Sequence, residues 1–231
     1  MIPWLNDNVP FPPVNRALRE PNGLLAAGSD LSASRLLEAY RHGIFPWFNP
    51  GEPILWWSPD PRMVLIPGKF KTSRSLAMVL RNAAYEVRCD TAFEQVMRGC
   101  AAPRGGHHGT WIHEDMIAAY CALYEIGYAH SVEVWMDGRL AGGLYGVAIG
   151  RIFYGESMFS HASNASKIAL AYLAGQLERW QFKMIDCQMN TSHLASLGAR
   201  EIPRSEFIAR LQELINCEPV THWQFDTDLF A

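Results

Sequence analysis

The chain of 231 residues has no close pair of cysteines and no long apolar run. Its five cysteines are scattered, which argues against a disulfide framework and against a thiolate zinc site. No apolar stretch approaches the roughly 18 residues that a membrane helix needs. The segment from Met1 to Asp7 lacks the basic and apolar regions of a secretion signal. We therefore expect a reduced, cytoplasmic protein with no membrane partner, and nothing demands more than a monomer.

The chain also has little net charge. Its formal charge of −3 gives no global reason to expect a nucleic-acid partner. Between residues 61 and 104, however, eight basic residues stand against three acidic ones. The basic residues are Arg62, Lys69, Lys71, Arg74, Arg81, Arg88, Arg98 and Arg104. Such a region can guide a phosphate backbone to one face of an acidic protein, although a solvated surface without a partner is the alternative.

Turn residues dominate the first sixty or so positions, and a regular pattern begins beyond Arg62. Residues 1–62 are predicted to form a small, irregular module with one clear helix at 32–42. Ser32 is a suitable N-cap for this helix, and Gly43 follows its end. Residues 63–231 are predicted to form one larger domain.

Helical and strand patterns follow a defined order in the larger domain. Apolar spacing predicts helices at 72–82, 91–101 and 113–126, with Thr91 and Glu94 as a capping box. Alternation predicts strands at 85–89 and 131–135, and Asp137-Gly138 predicts a hairpin into a strand at 140–148. A strand at 151–159, a helix at 164–180, a strand at 183–189 and a last helix near 205–216 follow. The order indicates a mixed α/β sheet with three antiparallel strands and a parallel crossover.

Two polar clusters interrupt apolar strands on either side of the crossover helix. Glu156 lies in the first cluster, and Asp186 and Gln188 lie in the second. Because the crossover places its two strands in one sheet, the acidic groups are expected to lie near one another. Alternation along a strand points Asp186 and Gln188 to one face and Cys187 to the other, toward the core. The clusters indicate a reactive site, with buried acids satisfied by backbone donors as the alternative.

The predicted order of elements is that of an acetyltransferase-like (GNAT-type) fold, which in many enzymes binds coenzyme A. Such enzymes usually carry a glycine-rich, basic loop at the start of the crossover helix. Residues 159–164 contain no glycine, and Gly142, Gly143 and Gly146 are better explained by close packing within a strand. We therefore expect no coenzyme A site and no other cofactor. The spacing of His107, His108 and His113 does not fit a zinc protease, so no metal is expected.

Seven motifs lie in order along nearly the whole chain, at residues 18–25, 43–47, 55–62, 109–112, 155–160, 185–188 and 195–204. They include Gly43-Ile44-Phe45-Pro46-Trp47, Gly155-Glu156-Ser157-Met158-Phe159-Ser160 and Ile185-Asp186-Cys187-Gln188. Together they closely resemble the leucyl/phenylalanyl-tRNA–protein transferase family. The resemblance implies an acetyltransferase-like C-terminal domain whose donor is an aminoacyl-tRNA. It also implies transfer of leucine or phenylalanine, and methionine as a further candidate, to proteins that begin with arginine or lysine, which marks them for degradation.

The resemblance implies roles for three polar residues. The reaction is attack of an α-amino group, whose reference pKa is about 7.7 to 8.0, on an ester. Gln188 is expected to accept a hydrogen bond from the amine, and Asp186 to orient the Gln188 amide. Glu156 is expected to help bind the donor or a cationic acceptor. Whether Asp186 or the ribose hydroxyl of the tRNA takes the proton stays open.

Substrate contacts follow from the same reaction. An apolar pocket is needed for the donor side chain, and its candidates are Leu144, Phe153, Met158 and Ile185. Trp47 and Trp111 are expected to stack on the terminal adenosine, and Lys69, Lys71, Arg74 and Arg81 to contact tRNA phosphates. A coenzyme A-dependent N-acetyltransferase is a rival, against which the missing glycine loop argues. A noncatalytic tRNA-binding protein is a second rival, but this function would not explain Asp186 and Gln188.

Overall fold

A computed structural model describes residues 2–6, 9–103 and 110–230 of the chain. Two β-sheets form its framework, one with four strands and one with seven. The strands are β1 (Trp4–Leu5), β2 (Leu24–Gly28), β3 (Phe45–Pro46), β4 (Leu55–Trp57), β5 (Arg62–Leu65), β6 (Glu86–Cys89), β7 (Ala129–Met136), β8 (Arg139–Ile149), β9 (Ile152–Ser160), β10 (Met184–Gln188) and β11 (Arg200–Ile202). The α-helices are α1 (Ala33–Arg41), α2 (Arg74–Asn82), α3 (Phe93–Ala101), α4 (Glu114–Glu125), α5 (Ala165–Arg179), α6 (Ser192–Ser196) and α7 (Arg204–Leu214).

The smaller sheet belongs to the N-terminal part, in the order β1-β2-β4-β3. Its strands are two to five residues long, too short for alternation to be visible in the sequence, which predicts only an irregular module here. Helix α1 lies where the sequence predicts it. The hydroxyl of Ser32 caps it by accepting a hydrogen bond from the Arg35 backbone N–H, and Gly43 leaves it with a φ of +72°.

The larger sheet has the order β11-β5-β10-β9-β8-β7-β6. Strands β6 to β9 are antiparallel neighbours, and β10 pairs parallel to β9 after the crossover helix α5. Asp137 and Gly138 form the predicted hairpin turn, with φ angles of +49° and +72°. The predicted mixed α/β sheet is thus confirmed. Strands β5 and β11 extend it beyond β10, an edge that no local pattern reveals because both pair with distant parts of the chain.

Two hydrophobic clusters cover the two faces of this sheet. Buried residues of α3 and α4 pack with Tyr145 and Tyr154 in one cluster, while those of α2 and α5 pack with Leu144 and Phe153 in the other. The first cluster also contains Trp56 of the small sheet, so the two parts of the chain share a core. The division at residue 62 stays a prediction about folding units. No helix among the described residues is long and apolar enough to cross a membrane.

The predicted capping box at the start of α3 is wrong. Ala92 occupies the N-cap position, and no side chain caps the helix. The hydroxyl of Thr91 donates instead to the buried carboxylate of Glu133 at 2.7 Å, and Glu94 pairs with Arg98. A carboxylate sealed in the core must find donors, and this demand takes Thr91 away from the helix.

The glycines of β8 have the packing role that the sequence predicts. A Cβ on Gly143 would lie 2.6 Å from the Val132 carbonyl oxygen, and one on Gly142 would lie 2.9 Å from that of Phe159. Neighbouring backbone therefore excludes any side chain at these two positions.

Candidate active site

The pairing between strands β9 and β10 ends before their C-terminal ends, so the two strands separate there. They pair through Met184 to Asp186, opposite Ile152 to Tyr154. Beyond Asp186 the register of β10 against β5 shifts, and Gln188 adopts a left-handed φ of +62°. The side chains of Glu156 and Gln188 meet at the opening, where the amide nitrogen of Gln188 donates to Oε1 of Glu156 at 2.9 Å. The crossover thus brings the two predicted polar clusters together.

A cavity of about 480 Å³ occupies this opening. All six residues predicted to contact the donor line it, namely Trp47, Trp111, Leu144, Phe153, Met158 and Ile185. Glu156 and Gln188 line it as well. Sequence reasoning missed further apolar lining residues, among them Phe45, Leu170, Leu173 and Leu194. A largely apolar wall with a few converging polar groups is the usual form of a small-molecule site.

The N-terminal part supplies one side of the cavity through Phe45, Pro46 and Trp47. The indole nitrogen of Trp57 donates to the main-chain oxygen of Trp47 at 2.7 Å, which fixes this segment. Trp47 itself is 37% exposed, whereas Trp56 and Trp57 are buried. An exposed aromatic ring at a cavity offers a stacking surface.

Glu156 sits among neutral hydrogen-bond donors. Tyr40 of α1 donates to its Oε1 at 2.7 Å, and Tyr120 of α4 donates to its Oε2 at 3.1 Å. The two tyrosine hydroxyls also contact each other. Burial raises the pKa of Glu156 to about 7; the tyrosines and Gln188 oppose this shift, while the Asp186 charge adds to it. Glu156 therefore changes its charge near neutral pH.

Asp186 has a different environment, because it is fully buried against a guanidinium. Nε of Arg62 donates to Oδ1 at 2.8 Å, and a terminal nitrogen donates to Oδ2 at 2.7 Å. Arg62 is fully buried too, so it belongs to no basic surface, contrary to the grouping suggested by the sequence. Local sequence could not reveal this pair, because 124 positions separate the two residues.

The link between Asp186 and Gln188 also differs from the expectation. Oδ1 of Asp186 accepts a hydrogen bond from the backbone N–H of Gln188 at 2.9 Å, whereas the Gln188 side-chain amide bonds to Glu156. The left-handed backbone of Gln188 breaks the strand alternation on which the expectation depended. Asp186 is not among the residues that line the cavity.

Cys187 packs against the second hydrophobic cluster, as expected, and it also lines the cavity. Burial raises the pKa of its thiol, with the charge of Asp186 adding to the effect. A thiol with a raised pKa is a poor nucleophile at neutral pH, since the thiolate is the reactive form. Cys187 is therefore a wall residue.

Four of the eight basic residues in the 61–104 region remain exposed in one stretch of chain: Lys69, Lys71, Arg74 and Arg81. Within the described part of the chain, none of the four forms an ion pair. The backbone N–H of Lys71 donates to the Leu197 carbonyl at 2.9 Å, just after α6, whose Leu194 lines the cavity. Lys71 thus lies beside the segment that directly follows α6. Arg88 and Arg98 are paired with glutamates, and Arg104 lies outside the described residues.

Of the three histidines considered as metal ligands, the structure describes one, His113. His107 and His108 lie outside the described residues. His113 lies 3.7 Å from an Asp115 carboxylate oxygen and packs edge-on against Phe48. In residues 2–6, 9–103 and 110–230, no group of three or more His, Cys, Asp or Glu side chains could hold a metal ion.

Comparison with known proteins assigns a family. Residues 64–212 match the family model described as leucyl/phenylalanyl-tRNA protein transferase, and residues 29–60 match the model of its N-terminal domain. A leucyl/phenylalanyl-tRNA–protein transferase from Nitrosospira multiformis is 66% identical over 98% of this chain and 98% of its own length. One from Thiobacillus denitrificans is 66% identical over 94% of this chain and 96% of its own.

Among solved structures, a GCN5-related N-acetyltransferase from Kribbella flavida aligns over 71% of this chain and 59% of its own. The sequence identity is 11% and the TM-score is 0.36, too low to add to the strand order described above. The extent and identity of the sequence matches are decisive, because they run through both parts of the chain. The chain belongs to the leucyl/phenylalanyl-tRNA–protein transferase family.

Proposed function

We propose that this chain transfers leucine or phenylalanine from aminoacyl-tRNA to the α-amino group of a protein, in the cavity between β9 and β10. One observation carries the proposal: the Gln188 amide and the Glu156 carboxylate stand together at the wall of a largely apolar cavity. An apolar side chain can fill such a cavity while its ester carbonyl lies beside the polar pair.

The donor is the aminoacylated 3′ end of the tRNA. Leu144, Phe153, Met158 and Ile185 supply an apolar wall for its side chain. The flexible thioether of Met158 can adapt to an aliphatic or an aromatic group, which suits leucine, phenylalanine and methionine. Trp47 and Trp111 are proposed to stack on the terminal adenosine.

The chemistry forms a C–N bond and breaks the ester C–O bond. The attacking nitrogen loses a proton, and the departing ribose oxygen gains one. Because Glu156 holds the amide nitrogen of Gln188, we assign the amide oxygen of Gln188 as the acceptor for an amine hydrogen. Glu156, whose pKa is about 7, is the neighbouring group suited to take up the proton at neutral pH, with the ribose hydroxyl as the alternative. Asp186 is sealed against Arg62, so we assign it a positioning role.

Acceptors are proposed to be proteins that begin with arginine or lysine. The ionised carboxylate of Glu156 at the cavity wall favours a cationic acceptor over an anionic one. The added leucine or phenylalanine would then mark the acceptor for degradation. We further propose that the enzyme works in the cytoplasm as a monomer.

The exposed residues Lys69, Lys71, Arg74 and Arg81 are proposed to contact acceptor-stem phosphates. Each phosphate contact that is lost should lower the salt dependence of binding. We expect the pair of substitutions Lys69→Ala and Arg74→Ala to weaken tRNA binding and to flatten its dependence on salt concentration. The measurement is tRNA affinity across a salt series, with Arg88→Ala as the control, since Arg88 is already paired with Glu86. An unchanged salt slope would assign these residues to the solvated surface.

The direct test of the function is transfer of label to a peptide. The protein is incubated with radiolabelled Phe-tRNA, or with radiolabelled acetyl-CoA, and a peptide that begins with arginine. Label should pass to the peptide from Phe-tRNA and not from acetyl-CoA. A peptide that begins with glutamate should receive less label than the one that begins with arginine. Label from acetyl-CoA would favour an N-acetyltransferase, and tRNA binding without transfer would favour a binding protein.

A further inference from the structure

We infer that Arg62 is a positioning residue for the transfer reaction, acting through Asp186 on the backbone of Gln188. This inference rests on the proposed function, because it concerns the same amide. Arg62 opens strand β5 and is not among the described residues that line the cavity. Its effect must therefore pass through the residues that it holds.

The first part of the connection is the paired contact between Arg62 and Asp186. Two guanidinium nitrogens bind both carboxylate oxygens at 2.8 and 2.7 Å, which leaves Asp186 little freedom to rotate. One of those oxygens, Oδ1, also accepts the backbone N–H of Gln188 at 2.9 Å. The guanidinium thus fixes the atom that holds the Gln188 backbone.

The second part is the unusual backbone of Gln188. A φ of +62° is uncommon for a residue that carries a side chain, so neighbouring contacts must maintain it. The hydrogen bond to Oδ1 closes the turn at this point. It lies where β10 leaves its register with β5, and it directs the Gln188 amide toward Glu156. Loss of the anchor should let the amide move away from the attacking amine.

Arg62 also contacts the N-terminal segment that supplies one side of the cavity. Its remaining terminal nitrogen donates to the Gly43 carbonyl at 3.2 Å, and its guanidinium lies 4.9 Å from the Phe45 ring centroid. Phe45 lines the cavity in the segment that ends with Trp47. One buried side chain therefore contacts both the support of the reactive amide and the segment proposed to hold the adenosine.

A purely structural role for Arg62 is the alternative to a positioning role. Buried ion pairs are weak evidence for stability, because well-packed apolar replacements of both partners are often as stable. The stability of the fold thus gives no reason for choosing an arginine here. A positioning role does give such a reason, because it needs two fixed contacts on one carboxylate. Arginine supplies both contacts, whereas lysine offers only a point charge.

The test is a double-mutant cycle between Arg62→Lys and Gln188→Ala, read as single-turnover transfer from Phe-tRNA to an arginine-initiated peptide. In the wild-type background, Arg62→Lys should slow transfer by about 100-fold, the cost of a small displacement of a reacting group. In the Gln188→Ala background it should add less than about twofold, because the amide through which it acts is gone. Arg35→Lys is the matched control, as Arg35 is another buried arginine with an acidic partner, Glu38, and does not contact Asp186.

Two outcomes would overturn the inference: equal slowing by Arg62→Lys in both backgrounds, or slowing that simply follows a lower melting temperature. If Arg62→Lys does not fold, the apolar pair Arg62→Met with Asp186→Leu replaces it. That pair should fold, transfer slowly and lose nothing more on addition of Gln188→Ala. Normal transfer by the pair, or failure of both forms to fold, would contradict a positioning role. Full activity of Gln188→Ala alone would instead contradict the proposed function of the amide.

Discussion

The two acidic residues beside Gln188 occupy opposite kinds of environment. Asp186 is sealed in the core, where a guanidinium neutralises both of its oxygens. Glu156 stands at the cavity wall, where its donors within the described part of the chain are hydroxyl and amide groups. Asp186 thus faces a guanidinium, whereas Glu156 faces the dipoles of two hydroxyls and one amide.

This difference separates two tasks that the sequence leaves with Asp186, namely orienting Gln188 and taking up the proton. A carboxylate held through both oxygens by a guanidinium keeps its position, which suits an anchor. A buried carboxylate without a cationic partner has a raised pKa, which suits a group that gains and loses a proton near neutral pH. We therefore expect Asp186 to govern the structure of the site and Glu156 to govern its proton balance.

Removing Asp186 should produce the largest effect. In Asp186→Ala the Arg62 guanidinium loses its partner inside the core, and such a loss typically costs about 3 to 5 kcal/mol of unfolding free energy. Urea unfolding measures this cost. Asp226→Ala is the control, since it breaks an exposed pair with Arg179 and should cost less than about 1 kcal/mol. Equal losses in the two variants would contradict the anchoring role of Asp186.

The pH dependence of stability should identify Glu156 as the titrating group. Its pKa is about 7 when folded against an ordinary value of 4.5, so the folded state binds its proton more tightly. The contribution of Glu156 to stability is full below about pH 4.5 and is lost as pH rises to about 7. Glu156→Gln lacks this titration, so its stability relative to wild type should increase over that interval by on the order of 3 kcal/mol. Urea midpoints at several pH values measure the difference. If the stability of the two proteins changed with pH in parallel, the titrating group would not be Glu156.

A smaller effect is expected from the hydroxyl of Tyr40. Its hydrogen bond lowers the pKa of Glu156, so Tyr40→Phe should raise that pKa while costing about 1 kcal/mol of stability. Carbon-13 NMR of the glutamate carboxyl group follows the titration directly. Tyr154→Phe is the matched control, because the Tyr154 hydroxyl donates to the main-chain oxygen of Tyr40 and not to Glu156. A pKa that moves equally in both variants would point to general loosening of the core.

Much of the fold could be predicted because its signals are local. The hairpin at Asp137-Gly138, the crossover helix and the strands on either side of it follow from turn chemistry and apolar spacing. All six residues predicted to contact the donor, from motifs and from neighbouring strands, line the cavity, whereas its further apolar residues Phe45, Leu170, Leu173 and Leu194 were not predicted. The short strands of the N-terminal sheet carry no such pattern, because two or three residues cannot display a period.

The polar contacts of the site could not be predicted in the same way. Arg62 looks like one more surface charge until the fold places it against Asp186. Tyr40 and Tyr120 come from helices that read as ordinary amphipathic elements, and their hydroxyls meet Glu156 only in three dimensions. Strand alternation misplaced the Gln188 amide, because a left-handed residue interrupts the strand. Long-range pairing and backbone irregularity thus determine the reactive details.

The reaction assigned to this site depends on Gln188. The most direct test compares Gln188→Ala with Gln212→Ala, an exposed glutamine on α7, in single-turnover transfer from Phe-tRNA to an arginine-initiated peptide. Affinity for the tRNA is measured in parallel. We predict that Gln188→Ala slows transfer by about 100-fold or more, within the range for a proton-handling group, while its tRNA Kd and the rate of Gln212→Ala stay near wild type. An unchanged transfer rate in Gln188→Ala, or a loss fully explained by weaker tRNA binding, would contradict the account.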